Sequence, residues 1–172
     1  MGEQMKVFNL EREQFIDCPL RDVFAFFERP ENLSKITPPS LGFKILTPGP
    51  IRMKQGALID YTIRLLRIQL HWRTLISSYE PPHLFIDEQL KGPYALWHHT
   101  HRFAEKDGGT LITDKVRYAL PFGFLGHLMH RFIVKGQLDR IFDYRASVIK
   151  KMFEKNISGQ MNHPADISGK AG

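Results

Sequence analysis

Hydrophobic and polar positions alternate with a period of two in several stretches before residue 121, which is typical of half-buried strands. The first alternating stretch covers residues 5–16 and stops at Pro19, before a segment of different periodicity. Further along, clusters of proline and glycine divide the alternation into separate strands. The predicted strands span residues 5–16, 43–46, 57–66, 68–79, 84–90, 95–103 and 110–120.

Two parts of the chain carry a helical period instead. After the first strand, residues 20–28 predict a short helix, and residues 31–37 predict a second short helix or turn. Residues 125–153 predict one long helix, in which Gly136 marks a bend or a close contact. The apolar stripe of this helix consists of Leu138, Ile141, Phe142, Arg145, Ile149, Met152 and Phe153.

This order of elements predicts an α+β fold with a single antiparallel sheet. One face of such a sheet must be covered, and the last helix is the only element large enough to cover it. A curved sheet wrapped on one long helix leaves a gap, which predicts an apolar cavity of several hundred cubic ångströms. We therefore predict one domain over residues 1–156 and a disordered polar tail over residues 157–172.

Charge and cysteine content limit the partners. The formal net charge is +6, but the basic residues form no long run, so most of them are expected on a solvated face. The single cysteine, Cys18, favours a reducing cytoplasmic location, and no cofactor or nucleic-acid motif is recognisable. The last helix has a basic outer side, which would allow weak contact with an anionic membrane. This side is formed by Arg131, Lys135, Arg140, Lys150, Lys151 and Lys155.

The stretch Leu-Trp-His-His-Thr-His-Arg-Phe at residues 96–103 carries the candidate chemistry. A two-residue type I′ turn at Asp107-Gly108 would join this strand to the next one in a hairpin. The turn places four cross-strand pairs on one inward face: Trp97 with Tyr118, His99 with Val116, His101 with Asp114, and Phe103 with Ile112.

Three roles for the inward histidines stay open. A His101–Asp114 pair would satisfy two buried polar groups and raise the pKa of His101, which is a purely structural role. The histidines would otherwise orient a polar group of a ligand, or bind a metal ion together with Glu105 in a cupin-like arrangement. The glycine spacing and the long last helix do not match a cupin.

A longer pattern around these histidines resembles a known superfamily. It comprises Pro81-Pro82, residues 85–89, Gly92-Pro93-Tyr94, Trp97, His99, His101, Phe103, residues 108–110, Asp114, Val116, Tyr118, Pro121 and Gly123. This pattern is similar to the START-type, polyketide-cyclase-like superfamily (SRPBCC), and within it to small bacterial ligand-binding or cyclase/dehydrase-like proteins. Similar stretches occur in domains fused to a sugar-nucleotide epimerase-like partner.

The resemblance implies a helix-grip fold, in which a curved antiparallel sheet holds the C-terminal helix around an apolar cavity. It implies binding or transport of a hydrophobic small molecule such as a lipid, polyketide or quinone-like compound. The alternative is a cyclase or dehydratase in which His99 or His101 is the general base, Asp114 orients it and Tyr118 donates a hydrogen bond. The expected ligand-binding residues are Phe24, Phe27, Tyr61, Trp72, Trp97, His99, His101, Tyr118, Leu138 and Phe142.

Overall fold

The computed structural model describes residues 5–161 apart from residue 66, and in this part of the chain seven strands form one antiparallel sheet. The strand order is β1-β7-β6-β5-β4-β3-β2, so β1 closes one edge beside β7. The strands are β1 (Phe8–Ile16), β2 (Lys44–Ile45), β3 (Leu58–Leu65), β4 (Ile68–Glu80), β5 (Leu84–Lys91), β6 (Leu96–Lys106) and β7 (Gly109–Ala119).

The helices lie between the first two strands and after the last one. The connection from β1 to β2 holds α1 (Leu20–Phe27) and α2 (Leu33–Ile36), with single 3-10 turns beside α2. Pro19 precedes α1, and Val23, Phe24 and Phe27 are buried on its inner face. The described part of the chain ends with α3 (Gly123–Met129), a π-helical turn (His130–Val134) and α4 (Lys135–Met161).

The sheet curves around α4, and this arrangement confirms the predicted helix-grip fold. Leu138 and Phe142 of α4 pack on a cluster that contains Val116 of β7. Two and three turns after Phe142, Ile149 and Phe153 pack on the aromatic core between α1 and the sheet. The apolar stripe read from the sequence is thus the face of α4 that contacts the sheet, because positions three and four apart share one side of a helix.

The β6–β7 hairpin has the predicted register. Asp107 and Gly108 both have positive φ angles, 47° and 80°, as a type I′ turn requires. His101 is paired with Asp114 and His99 with Val116, as the two-residue turn predicts. Because side chains alternate across a strand, this register sends both histidines to the inner face, where they are buried.

The C-terminal helical region differs from the single helix predicted for residues 125–153. The π-helical turn interrupts it and ends two residues before Gly136, which is exposed. The helix then continues to Met161, so residues 157–161 of the predicted tail are helical. Residues 162–172 of that tail lie outside the described residues. None of the helices in the described part is long and apolar enough to span a membrane.

Candidate functional site

A cavity with two neighbouring compartments lies between the sheet and α4. The first has a volume of about 120 Å³ and extends under α1 and α2. The second has a volume of about 110 Å³ and extends along α4 toward Leu138. Six residues border both compartments and therefore form the wall between them: Leu33, Tyr61, Trp72, Trp97, His99 and Arg145.

Aromatic side chains make each compartment smaller than the several hundred cubic ångströms expected from the sequence. The Tyr61 and Trp72 rings stack with their centroids 5.8 Å apart. Trp97 meets Trp72 edge-on, with the ring planes at 90° and the centroids 5.3 Å apart. An apolar cavity of about 150 Å³ can hold a benzene ring, so each compartment is close to the size that holds one ring, and slightly smaller.

Two histidines and two aspartates form a closed cluster on the sheet side of the first compartment. The Asp87 carboxylate lies 2.9 Å from His101 Nε2 and 3.4 Å from His99 Nδ1. Asp114 Oδ1 lies 2.9 Å from His99 Nε2 and 2.8 Å from His101 Nδ1. The last contact is short but poorly aligned for a hydrogen bond, so it is an electrostatic contact.

Neighbouring strands position this cluster. Asp87 of β5 is paired with His99 of β6, and His101 of β6 is paired with Asp114 of β7. The two imidazole rings lie 3.7 Å apart, and the His101 ring stacks on Phe85 at 4.1 Å. Three adjacent strands thus supply the four groups, which we call the His–Asp cluster.

The two histidines have opposite pKa shifts. Burial lowers the pKa of His99, and the neighbouring His101 adds to this effect. Burial acts on His101 in the same direction, but the carboxylates of Asp114 and Asp87 outweigh it and raise the pKa of His101. Both aspartates have lowered pKa values because the adjacent histidines outweigh the cost of burial. Near neutral pH, therefore, both carboxylates are charged and His99 is mainly neutral, and His101 holds a proton more strongly than His99 does.

Neutral His99 carries one N–H, and the shorter contact shows where it points. Nε2 donates to Asp114 Oδ1 at 2.9 Å, so Nδ1 is left without a proton. Asp87 lies 3.4 Å from that nitrogen and would stabilise an imidazolium if His99 accepted a proton there. Since His99 borders both compartments, it combines the position and the protonation state of a general base.

Arg145 brings a second cationic group to the cavity from α4. Its guanidinium packs 5.0 Å from the centre of the Phe142 ring. Its Nε atom is buried and has no hydrogen-bond partner among the described residues. Its charge also acts on Asp87, where it helps to lower the carboxyl pKa.

Asp87, His99 and His101 are also the group best placed to hold a metal ion, since their ligand atoms lie within 4.8 Å of one another. Two imidazoles and a carboxylate are a donor set that suits zinc or iron. The same atoms are engaged with one another and with Asp114, so a metal would have to replace these contacts. Glu105, the carboxylate suggested by the cupin-like spacing, is exposed near the hairpin turn and outside this group.

The two compartments bring together eight of the ten expected ligand-binding residues. Phe24 instead packs in the aromatic core, with its ring 5.3 Å from that of Phe103. The Tyr118 hydroxyl is 2.9 Å from His130 Nε2, and this side chain borders a separate pocket beside β1. The eight residues that border the compartments are Phe27, Tyr61, Trp72, Trp97, His99, His101, Leu138 and Phe142.

Sequence reasoning missed two charged residues of the site, Asp87 and Arg145. Each left a signal. Asp87 shares the inward parity of Phe85 in its strand, where a carboxylate is unusual on a buried face. Arg145 is the one cation in the apolar stripe of the last helix. A charged residue at an inward position is uncommon unless it is paired or binds a ligand, so the pattern at both positions indicates a functional role.

Solved structures share this fold at low sequence identity. The Zhui aromatase/cyclase of Streptomyces sp. R1128 has a TM-score of 0.70 and 14% identity, over 88% of this chain and 96% of that one. Norcoclaurine synthase of Thalictrum flavum has a TM-score of 0.64 and 14% identity, over 89% and 98% of the two chains. A nucleoside-diphosphate sugar epimerase of Corynebacterium glutamicum has a TM-score of 0.64 and 23% identity, over 88% of this chain but 30% of that one.

The curated proteins include no match to this sequence. A protein family described as polyketide cyclase / dehydrase and lipid transport matches residues 16–142, from the end of β1 to the first third of α4. The match covers more than half of the chain and includes the whole His–Asp cluster. Together with the helix-grip fold, it shows that this chain belongs to the polyketide cyclase / dehydrase and lipid transport family of the SRPBCC superfamily.

Proposed function

We propose that this protein binds a hydrophobic small molecule, of lipid, polyketide or quinone-like chemistry, in the two-compartment cavity between the sheet and α4. The observation that carries the proposal is the combination of an aromatic wall with a small polar cluster at one side. Apolar walls supply affinity, and a few polar groups set the orientation, which is the usual design of small-molecule sites. The family to which the chain belongs includes cyclases, dehydrases and lipid transporters by its description.

The two compartments set an expectation for ligand size. A molecule of one ring fits one compartment, and a molecule of two rings reaches both if the side chains of the shared wall shift. Trp97 and Trp72 are the largest side chains of that wall. A longer lipid would require a larger movement of these side chains.

The test is native mass spectrometry of the freshly purified protein, followed by denaturing extraction of any bound organic molecule. Two variants on one strand locate the site: Ile59→Phe narrows the first compartment, and Ile63→Phe narrows the second. Leu58→Phe is the matched control, because Leu58 is exposed on the outer face of the same strand. We expect a co-purifying organic molecule that either inner variant depletes and the outer variant retains.

The proposal fails if the wild-type protein carries no organic molecule and its melting temperature rises with none of a panel of aromatic and lipid-like compounds. It also fails if a bound molecule is retained equally by all three variants, since the molecule would then lie outside the cavity.

The neutral state of His99 favours a second candidate, a cyclase or dehydratase that removes a proton next to a carbonyl group. In this reaction class His99 Nδ1 would accept the proton, and Asp87 would stabilise the imidazolium that forms. The test is incorporation of deuterium from solvent into an enolisable benzylic ketone such as 2-tetralone, measured by NMR. A wild-type rate above that of His99→Gln, with binding unchanged, would support catalysis. Equal rates with and without protein would exclude it for this ketone class.

A further inference from the structure

The side chain of Arg145 brings one buried donor without a partner to the cavity. Arg145 makes no hydrogen bond or ion pair with any residue in the described part of the chain, and its Nε is buried. A donor that stays unpaired away from water costs free energy. The Nε–H of Arg145 therefore has the capacity to bind an acceptor that the protein itself does not supply.

We propose that Arg145 anchors an anionic oxygen of the bound molecule, so that the ligand is a small hydrophobic carboxylic acid. This inference rests on the proposed function, because it names the chemical class of the molecule in the same cavity. Arg145 borders both compartments, so an oxygen near it serves a ring placed in either one. Arginine matches a carboxylate with two parallel N–H donors, a geometry that a neutral amide cannot reproduce.

The experiment is isothermal titration calorimetry with matched acid and amide pairs at neutral pH, where the acids are ionised. The probes are benzoate, trans-cinnamate and 2-naphthoate, each compared with its primary amide. Since charge-assisted hydrogen bonds are stronger than neutral ones, we expect at least one acid to bind about 10- to 100-fold more tightly than its amide.

Variants separate the anchor from the rest of the cavity. Arg145→Met should reduce the affinity for the acid to that for the amide and leave the amide affinity within about twofold. Arg145→Lys keeps the charge and should retain part of the preference for the acid. Arg140→Met is the matched control, because Arg140 is on the same helix and exposed, and it should change neither affinity.

The outcomes distinguish the two proposals. If wild-type protein binds an acid and its amide equally, the anchor is refuted and binding in the cavity stands. The anchor is also refuted, and binding in the cavity stands, if Arg145→Met lowers the affinity for the acid and for the amide equally. If no acid and no amide binds, the anchor is refuted together with the proposed function for ligands of one or two rings. The wild-type comparison decides the matter even if Arg145→Met does not fold.

Discussion

Replacing Asp114 by asparagine removes one charge from the His–Asp cluster with little change in shape. Asp114 is 8% exposed, and one of its oxygens contacts both His99 and His101. Removal of one partner from a buried ion pair typically costs about 3–5 kcal/mol. His101 retains Asp87 at 2.9 Å, so we expect the lower end of this range, about 3 kcal/mol of unfolding free energy at pH 5.5.

The pH dependence follows from the directions of the pKa shifts. The pKa of His101 is raised in the folded state, so its stabilising contribution is complete below the unfolded value of about 6.5 and is lost as the pH rises through the folded value. Asp114 also counteracts the lowering of the His99 pKa, so its loss adds to the cost at low pH. The destabilisation by Asp114→Asn should therefore be larger at pH 5.5 than at pH 9.

Urea denaturation followed by tryptophan fluorescence at both pH values measures this cost. The matched control is Asp60→Asn, because Asp60 Oδ1 contacts His71 at 2.7 Å and Arg73 at 2.9 Å on a more exposed part of the sheet. Exposed ion pairs contribute little to stability, so Asp60→Asn should lower the unfolding free energy by less than about 1 kcal/mol. The reasoning is refuted if Asp114→Asn costs no more than the control at pH 5.5, or if its cost is the same at pH 5.5 and pH 9.

Three further predictions concern the core, the hairpin and the metal content. Phe103→Ala should lower the unfolding free energy by about 3–5 kcal/mol, because Phe103 is 2% exposed. Phe122 is 76% exposed, so Phe122→Ala should change the unfolding free energy by less than about 0.5 kcal/mol. Urea titrations that give similar unfolding free energies for the two variants would contradict this. Gly109→Ala should lower the unfolding free energy by about 1–3 kcal/mol, because a Cβ there would lie 2.5 Å from the carbonyl oxygen of Ile16. An unchanged melting temperature would contradict this and show that the backbone relaxes freely. Elemental analysis of dialysed protein should find no stoichiometric metal, because the cluster atoms are engaged with one another; one ion per chain would overturn this.

Local features of the chain determined the elements and one complete hairpin. Asp107-Gly108 specifies a two-residue turn, and such a turn leaves one register for the strands that it joins. The inward positions of His99 and His101, and the pairing of His101 with Asp114, therefore followed from the sequence. The contact face of α4 also followed, because its apolar residues recur at three and four positions.

Only the tertiary structure decided which distant groups complete the site. The loop between β5 and β6 has no two-residue turn that specifies register, so the sequence did not show that Asp87 lies beside His99. The placement of Arg145 at the cavity depends on how α4 lies across the sheet, which is set by packing of its whole apolar face. Packing likewise placed Phe24 in the core rather than at the cavity. Turn chemistry and periodicity act over a few residues and can be read locally, whereas these contacts depend on side chains far apart in the chain packing together.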